Sequence, residues 1–596
     1  MAKKSSIKRL NIFPYFEGVN SLTSSNISKP YELSHAENAR CLTIGTIEKR
    51  QGTRRLGDEI ISTGNYGLFY FDSSNPSSSN FYRVSKVGGS VNIYYLNTSA
   101  AWTSLAGSGT ALSMANVSTT IANGFCFVVN GSDNNRYIDR DGTTVITSAT
   151  TSGHLYKSPI ANKINFYKDR LYVADYEVSG TFYPTSAMMS STPLGIVGLV
   201  DGDHLTGVTT IKVTDTKYVY STDSLDVYRG GTKIQTLTVS AKTEDTITVT
   251  ATTNDINSAD ELWVANTYNG ERVFRWADNP ASGINVKEYD TIKMSGGQED
   301  RIKMFTNIGD YMIMANTMNM AVWNGSALTN YDFDIGCISD NGFVKVGGVL
   351  FFIHYTGIYA TSGERPKLMS AKIEEYIKGA TKAGLEAAAM GKKGLSLLCS
   401  IGDVTLYHPD GSTKKTISNV VLEYNLRTEN WFVHTDISPT HFCTYLATDN
   451  VDRLEFASST GNCNVYEFFY GSTDDEAVSN LEIPFRIDSN KITLSPLFEK
   501  ICYPLDIIVE AERGSNIKTF VSLDDGPYYE LKGDSIKGCT IIKMRNIDNN
   551  LTDPPRCRQI NISLRDNSKS LCKISQVALN YAESLEEEES YPSKND

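Results

Sequence analysis

Short runs in which every second residue is apolar, each cut off by turn formers, are what most constrain this chain. YGLFYF (66–71), NFYRVSKV (80–87) and VNIYYL (91–96) follow one another with Gly, Ser, Asn and Asp between them. GFCFVVNG (124–131) then meets RYIDRDGTT (136–144), and NKINFYKDRLYVADY (162–176) forms a hairpin turning at Lys168-Asp169. A period of two places alternate side chains on opposite faces of a sheet, and turn residues set each strand's length. Four such repeats between Tyr66 and Thr192 suggest blades of a β-propeller, in which each antiparallel sheet buries its faces on its neighbours.

Residues 196–270 break the rhythm. They are rich in Thr, Val, Asp and Ser and contain an Arg229-Gly230-Gly231-Thr232 hairpin turn. We read them as a small inserted β domain, serving as a contact module or a spacer. The strand rhythm resumes over 271–480. There Met304, Met312, Met314, Met318 and Met320 fall largely at strand spacing, as core residues do. His354 lies inside a hairpin with no nucleophile signature beside it. SAKIEEYIKGATKAGLEAAAMGKK (370–393) is the one helical stretch. Ser370 is its expected N-cap, and Gly379 and Gly384 are its expected breaks. Residues 481–582 hold six or so strands, enough for a sandwich. The expected organisation is an arm and opening motif (1–60), a propeller in two parts (61–195 and 271–480), the inserted domain (196–270), a C-terminal β-sandwich (481–582) and an acidic tail (583–596). The fold class is all-β.

At 596 residues the chain exceeds a single core. Its formal charge of −12 argues against a protein that grips nucleic acid. The ten cysteines include no C-x-x-C pair and sit in apolar text, as buried thiols do. No apolar run approaches the ~20 residues of a membrane span.

The opening motif, Asn38 to Gly57 (NARCLTIGTIEKRQGTRRLG), joins a glycine turn at Gly45 and an apolar Ile47 to a basic cluster of Lys49, Arg50, Arg54 and Arg55. Its bland reading is a solvated turn before a strand. No glycine-rich phosphate cradle accompanies it. It resembles the N-terminal signature of the tail nozzle, or tail tubular protein B-like, family of short-tailed bacteriophages: Asn38, Arg40, Gly45, Ile47, Lys49, Arg50 and Gly52 fit, with Gln51 where that family has proline. Later segments resemble the family in the same order. They are the hairpin containing Arg170, Ile335 to Ser339 around Gly336, Gly357 to Tyr359, and Glu423-Tyr424-Asn425 with Trp431.

The resemblance implies a structural virion protein, made in the host cytoplasm. It would form a homo-hexameric ring at the distal end of the tail tube. It would meet a tail adaptor protein, carry docking sites for a needle or fibres, and let DNA pass without sequence-specific binding. It implies no enzyme, cofactor or metal, and gives Asn38, Arg40, Gly45, Lys49, Arg50, Gly52, Arg170, Gly336, Gly357, Tyr359, Asn425 and Trp431 as structural motif residues.

A second reading is a carbohydrate-binding or glycan-hydrolysing propeller protein of the virion. Glycoside hydrolysis needs two carboxylates across a cleft, which sequence cannot pair. Asp474-Asp475 and Asp524-Asp525 read as turn formers. Asp133, Asp139 and Asp141 with Gly142 only faintly match a calcium loop and lack its closing glutamate. There is no G-x-S-x-G, H-E-x-x-H or dinucleotide fingerprint.

Overall fold

A computed structural model describes residues 8–11, 17–21, 32–42, 45–74, 78–106, 111–147, 154–155, 157–178, 180–265, 273–276, 291–294, 300–331, 334–407, 413–447, 450–475, 480–494, 500–511, 515–533, 540–545 and 556–583. Almost all of the acidic tail lies outside them. The fold is all-β: six four-stranded antiparallel sheets, one six-stranded sheet and one extended sheet among the described residues. The chain forms two compact units, one of residues 57–340 with 362–365, the other of 1–56, 341–361 and 366–596.

In the first unit the sheets follow the chain. Ser62–Tyr70, Ser78–Val87, Ser90–Asn97 and Trp102–Ser104 form one, and Ser118–Ala122 to Val145–Thr147 the next. Ile160–Tyr167, Arg170–Val178 and Thr181–Met189 form a third, completed by Thr291–Lys293. The stretch 66–192 therefore holds two complete sheets and most of a third, rather than four repeats, because each sheet takes up four strands. The Lys168-Asp169 turn has both residues at positive φ (44° and 58°), as a two-residue hairpin demands.

The third sheet's last two strands are separated by the six-stranded sheet, from Ile196–Leu199 to Glu261–Val264. Thr232–Lys242 alternates buried and exposed residues there, with Gln235, Leu237 and Val239 inward. A bridge between Val200 and Val213 joins the two edges and partly curls the sheet around a Val, Ile and Leu core.

In the second unit, Pro439–Leu446, Asp452–Ser458 and Val465–Phe468 make three strands of a sheet. The fourth, Thr53–Arg55, comes from the opening motif. Glu32–Glu37 likewise pairs with Phe485–Ser489, so residues near the start are woven into strands near the end.

The expected helix is a correction. Only Glu374–Gly379 and Lys382–Glu386 are α-helical, after a 3₁₀ turn at Ala371–Ile373. Ala389–Lys393 is a strand paired with Ser396–Tyr407. The Ser370 hydroxyl makes no cap; it accepts the Ile358 N–H at 2.9 Å. Thr381 caps the second helix instead, accepting the Gly384 N–H. A Cβ on Gly379 would lie 2.4 Å from the Thr405 carbonyl oxygen, so close packing on the sheet ends the first helix. Burial of Met390 in the sheet overrides the helix propensity of the alanine run.

Candidate functional site

The opening motif is an internal ion-pair lattice. Arg40 donates to both oxygens of Glu423 (2.9 and 2.8 Å) and lies 3.6 Å over the Phe469 ring. His434 shares Glu423 through Nε2 at 2.7 Å. Burial lowers the His434 pKa, so the neutral ring donates to the carboxylate. Arg50 forks onto Asp474 at 2.8 and 2.6 Å and donates to Asn38 Oδ1 at 2.7 Å. Asn38, at φ 53°, also accepts from the Thr435 N–H and donates to Pro484 O. Lys49 reaches Asp566 at 2.9 Å, both side chains fully buried. Gly45 turns at φ 87°. Gly52 packs so closely that an added Cβ would sit 1.8 Å from the Thr473 carbonyl oxygen.

The other motif residues lie elsewhere. Arg170 donates to Ser190 O at 2.9 Å, and Gly336 packs on the Asn316 carbonyl, both in the first unit. In the second unit Gly357 opens a strand, at φ 151°, and the Tyr359 hydroxyl meets Thr356 at 2.7 Å. Asn425 caps its loop through the Arg427 N–H, and Trp431 packs on Tyr424 at 4.8 Å. The calcium-like carboxylates serve turns: Asp133 accepts from Ser113 and Asn130, Asp139 from the Thr143 and Thr144 N–H groups.

A different cluster has the chemistry of a site, and it lies wholly within the first unit. The pairing of Arg170–Val178 with Thr181–Met189 shifts register at Asp175: Ala174 faces Ala187 and Tyr176 faces Tyr183, so the extra residues lie on the partner strand. Asp175 itself is at φ 53°, a conformation aspartate tolerates better than most residues. Such an irregularity interrupts the regular ladder beside the side chain. Both Asp175 oxygens accept from Arg301 Nε, at 3.2 and 3.0 Å. Asp340 takes Lys163 at 2.7 Å on one oxygen and Lys303 at 3.4 Å on the other. Asp175 is enclosed, its side chain 3% exposed, whereas the Asp340 side chain is 35% exposed.

Their proton affinities diverge. Burial pushes the Asp175 carboxyl up to about 6, against the pull of Arg301. Burial also works against ionisation of Asp340, but Lys163 and Lys303 outweigh it and hold that carboxyl at about 2. Aromatic rings flank the cluster. Arg301 lies 4.9 Å over Phe182, and Tyr176 and Tyr183 stack at 5.1 Å. Neither aspartate belongs to a recognisable motif, although Asp175 lies one residue from the end of the 162–176 hairpin segment. The signal in the sequence was Lys163 within the Ile160–Tyr167 strand and Arg301 and Lys303 just ahead of Met304–Ile308, and nothing local paired them with their carboxylates.

No family model matches this chain, and no curated protein does. Among solved structures, the chain is similar to a phage phi92 endosialidase (10% identity, 92% of this chain and 71% of that one, TM-score 0.25). It is similar to an exo-β-1,3-galactanase from Phanerochaete chrysosporium (9%, 79% and 97%, TM-score 0.22) and to the WD40 β-propeller domain of Doa1 (9%, 70% and 96%, TM-score 0.28). These likenesses concern β-rich architecture, and the site geometry above rests on this chain's own residues. The expected reading as a non-enzymatic tail nozzle around a DNA channel is withdrawn: no match supports it, and the similar structures include an endosialidase and a galactanase.

Proposed function

We propose that this chain is a carbohydrate-binding, glycan-hydrolysing β-protein acting through Asp175 and Asp340. What carries the reading is one charged cluster that holds an enclosed aspartate beside a half-exposed one. Glycoside hydrolysis uses one carboxyl that keeps its proton and a second that is ionised. Asp175 supplies the first property and Asp340 the second. Asp340 acts as the exposed carboxylate, as nucleophile or as base for water. Asp175 is the proton-holding group, oriented by Arg301. Exposed Phe182 offers an apolar ring face on which the C–H face of a sugar can pack.

The finer architecture belongs to the same proposal. The four-stranded sheets act as propeller blades, and Thr53–Arg55 completes the blade begun at Pro439–Leu446. The curled sheet is an inserted domain, and the strands after Phe485 form a sandwich. A virion is the setting that the ordered segment resemblance supports, with host-surface glycan as the substrate. Self-association and attachment to a tail adaptor come with that setting, and analytical ultracentrifugation tests the first.

The deciding experiment incubates the full chain with a glycan panel and follows new reducing ends. Turnover that Asp340→Asn and Asp175→Asn each reduce at least a hundredfold, with thermal melts unchanged, supports the proposal. A panel without turnover or binding, or turnover indifferent to both variants, overturns it.

A further inference from the structure

The Asp175–Asp340 cluster has an imbalance that its two carboxylates do not explain. Lys163, Arg301 and Lys303 supply three positive charges against two negative ones, in a chain whose formal net charge is −12. Lys163 and Lys303 both turn to Asp340. Arg301 engages Asp175 through Nε alone. Among the described residues its Nη1 and Nη2 donate to no protein group, and its side chain is 45% exposed.

The guanidinium is nevertheless held in place. Asp175 fixes its Nε edge, and the Phe182 ring lies 4.9 Å beneath its central carbon. A long, flexible side chain anchored at two points loses little further freedom when it binds. The remaining edge presents parallel N–H groups in the spacing that matches a carboxylate, a pairing stronger than a neutral hydrogen bond. The two lysines are engaged by the exposed carboxylate, so the unmatched positive charge resides at the open edge of Arg301.

We propose that this site is built for a carboxylated glycan, with the open edge of Arg301 taking a sugar carboxylate in bidentate fashion beside Asp175 and Asp340. This rests on the glycan reading above and names its substrate class. The polyanion would meet a negatively charged molecule overall, so its binding depends on the local fork rather than on bulk attraction.

The test measures binding of the full chain to polygalacturonate, to dextran sulfate and to neutral dextran, by isothermal calorimetry at two salt concentrations. The expected result is a preference for polygalacturonate over dextran that falls at least tenfold in Arg301→Gln. It should fall by an intermediate factor in Arg301→Lys, which keeps the charge but not the fork. Thermal melts confirm that each variant is folded. A Phe182→Ala variant, which loosens the guanidinium without removing it, should also weaken the preference. Equal binding of dextran and polygalacturonate overturns the carboxylate inference and leaves the glycan reading standing. Equal, Arg301-independent binding of polygalacturonate and dextran sulfate also overturns the inference. If none of the three polymers binds and the wider glycan panel is silent too, both fall together.

Discussion

Glu455 and Glu467 stand directly opposite each other on adjacent antiparallel strands, yet they have different partners. Glu467 is held by Arg54 at 2.6 Å, on the strand beyond it. Glu455 is buried, and neither of its carboxylate oxygens has a hydrogen-bond partner. Opposite carboxylates in a sheet repel, and an unpaired buried charge is costly. Burial, with Glu467 adding to it, pushes the Glu455 carboxyl up to about 8 against Arg54, Lys393 and Arg453.

That arrangement makes stability depend on pH. An acid whose folded pKa is raised contributes stability that is fully present below its unfolded value, near 4.5, and lost as pH rises through about 8. Glu455→Gln keeps the shape and removes the charge. It should stabilise the chain at pH 9 by about 3 kcal/mol, an advantage that shrinks toward pH 4.5. Denaturant midpoints at the two pH values check this; an unchanged difference between them would contradict it.

The Arg40–Glu423–His434 group behaves in the opposite sense. Burial opposes ionisation of Glu423, but Arg40 and His434 together hold its carboxyl well below the usual range. Stability from a depressed carboxyl is present above the ordinary value near 4.5 and lost as pH falls. Glu423→Gln should destabilise the fold by about 3–5 kcal/mol at pH 7, because it leaves the Arg40 charge buried without its counter-ion. The double variant Arg40→Met with Glu423→Met should recover part of that loss, and chemical unfolding measures both.

Gly52 answers to sterics rather than charge. Its N–H donates to Gly471 O at 3.2 Å, and its carbonyl accepts from Tyr470 at 2.9 Å. A Cβ there would meet the Thr473 carbonyl oxygen at 1.8 Å, a backbone atom that cannot swing aside. Gly52→Ala should destabilise by about 3 kcal/mol or more and loosen the Thr53–Arg55 strand. Gly88→Ala, at φ 59° with open space around it, should be milder, at about 1 kcal/mol. Hydrogen exchange of the Thr53 and Arg55 amides distinguishes local strand release from general weakening.

Local chemistry was legible in the sequence; long-range pairing was not. The Lys168-Asp169 and Gly230-Gly231 turns are both at positive φ, where composition placed them. Asp474 looked like a turn former. It is also the counter-ion of Arg50, 424 residues away, and no local pattern encodes that. Thr53–Arg55 looked like the end of a basic cluster. Its place as a fourth strand depends on register with Val465–Phe468, which only the folded chain sets. The candidate site was hidden for the same reason. Asp175 sits where the pairing of two strands shifts register, and loop closure brings Asp340 to Lys163 and Lys303, so neither carboxylate carries a motif of its own.

The pH profile of glycan turnover tests the roles of the two aspartates. Asp340 is ionised above about 2, and Asp175 retains its proton up to about 6. Hydrolysis that needs a proton on Asp175 and a charge on Asp340 should run between those limits, with kcat/KM falling about tenfold per pH unit above 6. Asp175→Asn removes the titrating group, so its residual activity should lose that alkaline limb while staying low throughout. Arg301→Gln takes away the cation that opposes proton retention on Asp175, so the limb should move to higher pH. A limb that stays near 6 in Asp175→Asn would assign the titration to another group and remove Asp175 from the reaction.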